Sequence, residues 1–259
     1  MLHSKTSYFI IKYANIKEVI LQMQPATQLS NEQKHSMSWG QFISSVLFAF
    51  FGTGLITMFL AMPLTIYTAG LTDKKQVALY ESIANTASTV LQLAVLLFFI
   101  FKFEPAKKLL LKSFNFKTLK EWRTYVYLLL FFVINIILNY ILLNYVFQDA
   151  TKQQSSALSL DVFKQYQILL LLSFAILTPI FEELIFRGFI LRFFSERFPF
   201  WIAAIVTSFF FGIAHTYSLG VMVITFFMGL LMAILCKKTK SIIPAMLFHI
   251  MNNMLAFLS

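Results

Sequence analysis

Long apolar runs alternate along the chain with short, mostly basic connections. A membrane-crossing helix needs about 20 mostly apolar residues. Seven stretches meet or approach that length: residues 42–67, 83–101, 125–147, 166–191, 198–215, 219–236 and 242–258. None shows the short, alternating strands of a transmembrane barrel. The pattern predicts an all-α, polytopic transmembrane bundle of about seven to eight spans. An eighth segment would lie in the basic stretch after Phe101, or the N-terminal segment would rest on the surface as an interfacial helix. Residues 1–36 are mixed and polar. Their apolar patch at 8–11 is too brief to span or to serve as a signal peptide's core. Met37, just before the hydrophobic body, is an alternative start. The expected organisation is therefore a polar segment (1–36), N-terminal transmembrane helices (37–160) and a catalytic core (161–259).

Composition sharpens this picture. Of 259 residues, 59% are hydrophobic and 12% charged, and the mean hydropathy is +0.75. Soluble domains carry about twice that share of charge. Eight glycines and one cysteine exclude collagen-like and disulfide-scaffold classes. The formal net charge of +10 suggests a nucleic-acid partner, but no nucleic-acid motif accompanies it, and the charge sits between apolar runs. Sixteen Lys and Arg residues fall in alternate connections on one side of the predicted bundle and four on the other; Arg187 lies within a span. The basic side is expected to face the cytoplasm, which puts the N-terminus inside. Membrane lipid is the implied surroundings. Cys236 reads as an ordinary apolar residue near a helix end.

Ionisable residues in a span are costly, and by default they mark function. They are concentrated here in the last part of the chain: Glu182, Glu183 and Arg187, then His215, then His249 with Asn252 and Asn253. Glu183 and Arg187 are four apart and share a helix face. Glu182 is turned by about 100° from Glu183, and two adjacent carboxylates in low dielectric cannot ionise independently. The spacing suggests a division of labour, with Arg187 holding Glu183 as an anion and Glu182 left for general-base work. Pro179 loosens the helix and frees a backbone carbonyl. Glu183 and His215 each stand 16 residues from Pro199 in the connecting turn, so antiparallel helices would bring them to similar depth. Phe211 lies one turn before His215 and would wall its ring. His249 and Asn253 are side by side at i and i+4, with Asn252 the other candidate. Each group alone also reads as helix-to-helix glue; three groups in three successive apolar elements point to one site.

Two chemical routes are open to this set. Glu182 and His215 would deprotonate a water that attacks a carbonyl, with His249 and Asn253 donating to the oxyanion. Alternatively Glu182, His215 and His249 would hold a divalent metal such as zinc. No zinc-type H-E-x-x-H, nucleophile context or paired-aspartate pattern is present.

Glu182-Glu-Leu-Ile-Phe-Arg-Gly188, Phe211-x-x-x-His215 and His249-x-x-x-Asn253, in that order, resemble the three signatures of the CPBP family, the CAAX proteases and bacteriocin-processing (Abi) enzymes. The resemblance covers about residues 165–259, including the stretch 227–244 between the second and third signatures. It implies an intramembrane peptidase with Glu182 and His215 as the water-activating pair. His249 and Asn253 would then be the oxyanion donors, with Glu183 and Arg187 shaping the site. It also implies a peptide or membrane-anchored protein as substrate, in bacteriocin or pheromone maturation or self-immunity. The metal-free glutamate route is favoured, because asparagine is a poor zinc ligand, so no cofactor is expected. The main alternative is a non-catalytic membrane scaffold that binds a membrane-protein partner such as a sensor kinase. A proton-coupled transporter has neither repeat symmetry nor paired broken helices to support it.

Overall fold

The computed structural model describes residues 35–157 and 166–258. The expectations for residues 1–34, including the 8–11 patch and an interfacial helix there, fall outside the described residues. The described residues contain helices and no strand. Five helices are long and apolar enough to cross a membrane: α1 (Trp39–Ala69), α2 (Lys74–Lys102), α4 (Trp122–Val146), α6 (Gln167–Ser195) and α8 (Leu219–Thr239). Two apolar helices are shorter, α7 (Phe200–Ile213) and α9 (Ile243–Leu258). Small helices α3 (Glu104–Leu111) and α5 (Ala150–Ala157) fill connections.

This corrects the sequence reading of the fifth span. Proline at 199 starts α7, and the helix ends after 14 residues, about 21 Å of rise against a hydrocarbon core of about 30 Å. Its C-terminal end therefore stops well short of a full crossing. The 16 residues of α9 make about 24 Å. Nor does the basic stretch after Phe101 hold an eighth span. It forms the eight-residue α3, whose Ala106, Leu109 and Leu110 are buried against the bundle, followed by a 3-10 turn (Phe116–Lys120).

The core gathers around α8, which buries half of its apolar window, whereas α2 and α4 bury 11% of theirs. Apolar burial drives little association between helices already in lipid, so small residues and interhelical hydrogen bonds set the packing. Thr86 of α2 and Ser173 of α6 share a 2.8 Å hydroxyl bond. Gly212 of α7 allows close approach to α8: a Cβ there would stand 2.7 Å from the Met222 carbonyl oxygen and 3.2 Å from the Phe226 Cβ. Gly212→Ala is expected to cost about 1–3 kcal/mol by overpacking, measured as a lower thermal midpoint in detergent.

At the basic end of α6, the chain entering α1 is pinned. The Ser36 N–H and hydroxyl both donate to Glu196, and Lys112 reaches the same carboxylate. Arg197 donates to the Met37 carbonyl and lies over the Phe193 ring, on which Phe42 stacks. Burial alone would raise the Glu196 carboxyl; the Ser36 and Lys112 bonds outweigh it and hold the group below its ordinary value. A lowered carboxylate stabilises above the unfolded value and loses that contribution as pH falls through the folded one. As pH falls below the ordinary carboxylate value of about 4.3 this latch should loosen, seen as lower protection of the amides of residues 35–39 than at pH 7, each rate being compared with the intrinsic exchange rate at its own pH.

Candidate active site

Helix α6 carries the centre of the site and is not a uniform α-helix. Two of its stretches, Leu171–Leu177 and Leu184–Leu191, are wide π turns, a feature frequent at functional sites. In the first, the Thr178 N–H bonds the Ser173 carbonyl, five residues back. The next N–H in that register would belong to Pro179, which has none. The Phe174 carbonyl it would have met accepts the Asn253 amide instead, at 3.0 Å. This is the backbone acceptor that the proline frees.

Glu182 and Glu183 sit near the middle of α6, roughly 20 Å from either end. Glu183 and Arg187 are completely buried and paired at 2.6 Å (Oε1 to Nη1). A lone buried charge would be prohibitive; the pair offsets that cost. Arg187 also donates to the Gly229 carbonyl of α8 at 3.1 Å and lies 4.4 Å from the centre of the Phe211 ring. Glu183 has a second partner that spacing did not predict: the His249 Nδ1 lies 3.0 Å from the same Oε1. Among the described residues Glu183 Oε2 and Arg187 Nε are buried without a partner.

Glu182 points the other way, as the 100° rotation requires, and is partly open. Its Oε2 lies 3.6 Å from His249 Nε2 and 3.9 Å from His215 Nε2. The His215 Nδ1 is 2.8 Å from the Phe211 carbonyl, so its proton sits on Nδ1 and Nε2 is left as an acceptor facing Glu182. The Phe211 ring walls both imidazoles, with centroids 4.7 Å from His215 and 5.6 Å from His249. Because α7 is short, its last residues meet the middle of α6, which is how His215 reaches Glu182.

The structure thus brings Glu182, Glu183, Arg187, His215 and His249 together. Asn253 is not hydrogen-bonded to any of them. One turn beyond His249, it gives its amide to Phe174 and accepts from Asn252 at 3.3 Å. Tyr217, which the sequence reading did not single out, lies on the rim. Its backbone N–H bonds the His215 carbonyl at 2.8 Å, and its ring centre is 6.3 Å from that of His215. Burial, and then the Glu182 carboxylate, push its phenol above the ordinary range. A tyrosine two residues after His215 was the available signal.

Glu182, His215 and His249 offer the donor types that zinc takes. Their separations of 3.6 and 3.9 Å exceed the edge of about 3.3 Å that bonds near 2.0–2.1 Å give in a tetrahedron. No group of three His, Cys, Asp or Glu among the described residues is arranged to hold a metal ion. As they stand, these side chains do not fit one.

Fold and site define a polytopic membrane protein with a carboxylate–imidazole centre buried at mid-bundle. Residues 164–255 match the family described as Type II CAAX prenyl endopeptidase Rce1-like. A protein of Bacillus subtilis (strain 168), named "Putative membrane peptidase YdiL", is 32% identical over 109 residues, which are 42% of this chain and 44% of that protein. No solved structure matches at a significant level. Over this segment, about a third of its length, the chain is similar to CAAX-type membrane peptidases, and it spans less than half the length of the curated relative it matches.

Proposed function

We propose that the protein is an intramembrane endopeptidase that hydrolyses a peptide bond in a membrane-associated peptide or protein by carboxylate-activated water. The observation carrying this reading is the mutual placement of Glu182 Oε2 and His215 Nε2, 3.9 Å apart. The Nδ1 of His215 is committed to a backbone carbonyl, so both facing atoms are available to take a proton. In this reading Glu182, assisted by His215, takes one proton from water as its oxygen bonds to the scissile carbonyl carbon. The carbonyl becomes an oxyanion that accepts hydrogen bonds from His249 and Asn253. When the C–N bond breaks, the proton held by Glu182 passes to the departing amine, which regenerates the site; the new carboxylic acid keeps the second water proton and gives it up to solvent or to the released amine. With Nδ1 committed to Glu183, His249 can donate from Nε2 only as the doubly protonated ring. Tyr217 supplies a further hydroxyl at the rim; Tyr217→Phe is expected to slow cleavage about 2–10-fold, the worth of one neutral hydrogen bond.

The family match supports peptidase chemistry. Bacteriocin or pheromone maturation and self-immunity are the substrate settings we favour, with the basic face and N-terminus cytoplasmic. Treating the purified, active protein with chelators while measuring its metal content tests the route. Cleavage that continues with sub-stoichiometric metal supports glutamate chemistry; activity that falls and returns with zinc refutes it. A membrane phenotype that survives both Glu182→Ala and His215→Ala would favour the scaffold reading instead.

A further inference from the structure

Asn135 is 1% exposed in the mostly apolar α4, outside the segment that matches the family. A carboxamide buried in lipid-depth protein is costly unless its donors and acceptor are matched. Asn135 is the first of three carboxamides in a row that ends at the site. Its Nδ2 donates to Asn252 Oδ1 at 2.8 Å, the Asn252 Nδ2 donates to Asn253 Oδ1 at 3.3 Å, and the Asn253 Nδ2 donates to the Phe174 carbonyl at 3.0 Å.

We propose that Asn135 is a positioning residue for the reaction: through Asn252 it fixes which way the Asn253 carboxamide faces. This rests on the peptidase reading above. The sense of the row is not arbitrary. A backbone carbonyl only accepts, so Phe174 requires the nitrogen of Asn253, and Asn253 then requires a donor at its oxygen. Asn252 supplies that donor, and Asn135 supplies the donor that holds Asn252. Each primary carboxamide has two N–H bonds, so Asn253 keeps one N–H unspent, available to a substrate oxyanion. Reversing the row would turn Oδ1 of Asn253 against the Phe174 carbonyl and toward the developing negative charge.

Asn135→Asp is nearly isosteric and removes the N–H₂ at the head of the row. Asn252 then turns its nitrogen toward position 135 and presents its oxygen to Asn253, favouring the reversed arrangement. The test uses the full-length protein in lipid vesicles with a palmitoylated, internally quenched peptide library, products being read by mass spectrometry and rates by fluorescence. The variants are Asn135→Asp, Asn253→Ala, both together, and Glu182→Gln. Loss of one oxyanion donor typically costs about 10²–10³ in kcat. The expected result is a 10–100-fold fall in kcat for Asn135→Asp (on the order expected for a misdirected donor) with KM changed less than about twofold. The double variant should be no slower than Asn253→Ala alone, because both act through one donor. Asn135→Ala, which also removes the donor, is read in the same way if the aspartate variant does not fold. Equal cleavage by Asn135→Asp and wild type, or losses that multiply in the double variant, overturns the relay while leaving the peptidase reading standing. Undiminished cleavage by Glu182→Gln, or none by wild type, overturns that reading and the relay with it.

Discussion

Arg187→Met should be the most destabilising single substitution in the site. It leaves the Glu183 carboxylate, which has no exposure at all, without its cation and with only the His249 ring beside it. Breaking a buried pair by removing one partner costs about 3–5 kcal/mol, so the variant should unfold at markedly lower denaturant or temperature in detergent. The double variant Glu183→Gln/Arg187→Met removes both charges and should recover most of the loss, because the penalty lies in the orphaned charge rather than in the missing pair. A single-variant loss below about 1 kcal/mol would mean that the pair is not the clamp the geometry describes.

His215→Ala should act in the opposite sense, sparing the fold and removing the chemistry. The ring is partly open, at the end of a short helix, and its single hydrogen bond is to the carbonyl of its own preceding turn. Its removal releases one backbone acceptor, the Phe211 carbonyl, which water entering from the open side can satisfy. General acid–base assistance is worth about 10²–10⁴ in rate, so kcat should fall by that order while the thermal midpoint stays near wild type. Comparable losses in both would assign His215 to packing.

Much of this site was legible in the residues. The i, i+4 spacing of Glu183 and Arg187 predicts their pair, and the 100° step separates Glu182 from it; both hold in the structure. Equal spacing about Pro199 placed His215 at the depth of the carboxylates, although the reason is different from a pair of full spans: α7 simply ends there. Hydropathy sees apolar character and not helix termination, so it could not separate a 14-residue helix from a crossing. The bond from His249 to Glu183 joins residues 66 apart in sequence, and no local spacing rule reaches that far. The same holds for Asn135, which reads as one polar residue in an apolar run until Asn252 is seen opposite it. The Phe174 carbonyl was half legible: Pro179 announces a missing donor, but only the π register decides which carbonyl loses it.

The most direct test of the account is the rate at which Glu182→Gln cleaves the lipid-anchored peptide library, relative to wild type at equal amounts of folded protein. Glutamine preserves shape and neighbours but cannot take a proton from water. The account predicts a fall of about 10³-fold or more, for a group acting as base with its imidazole partner intact. Cleavage within about tenfold of wild type would contradict it, because a carboxylate so easily replaced is not the one that activates the water.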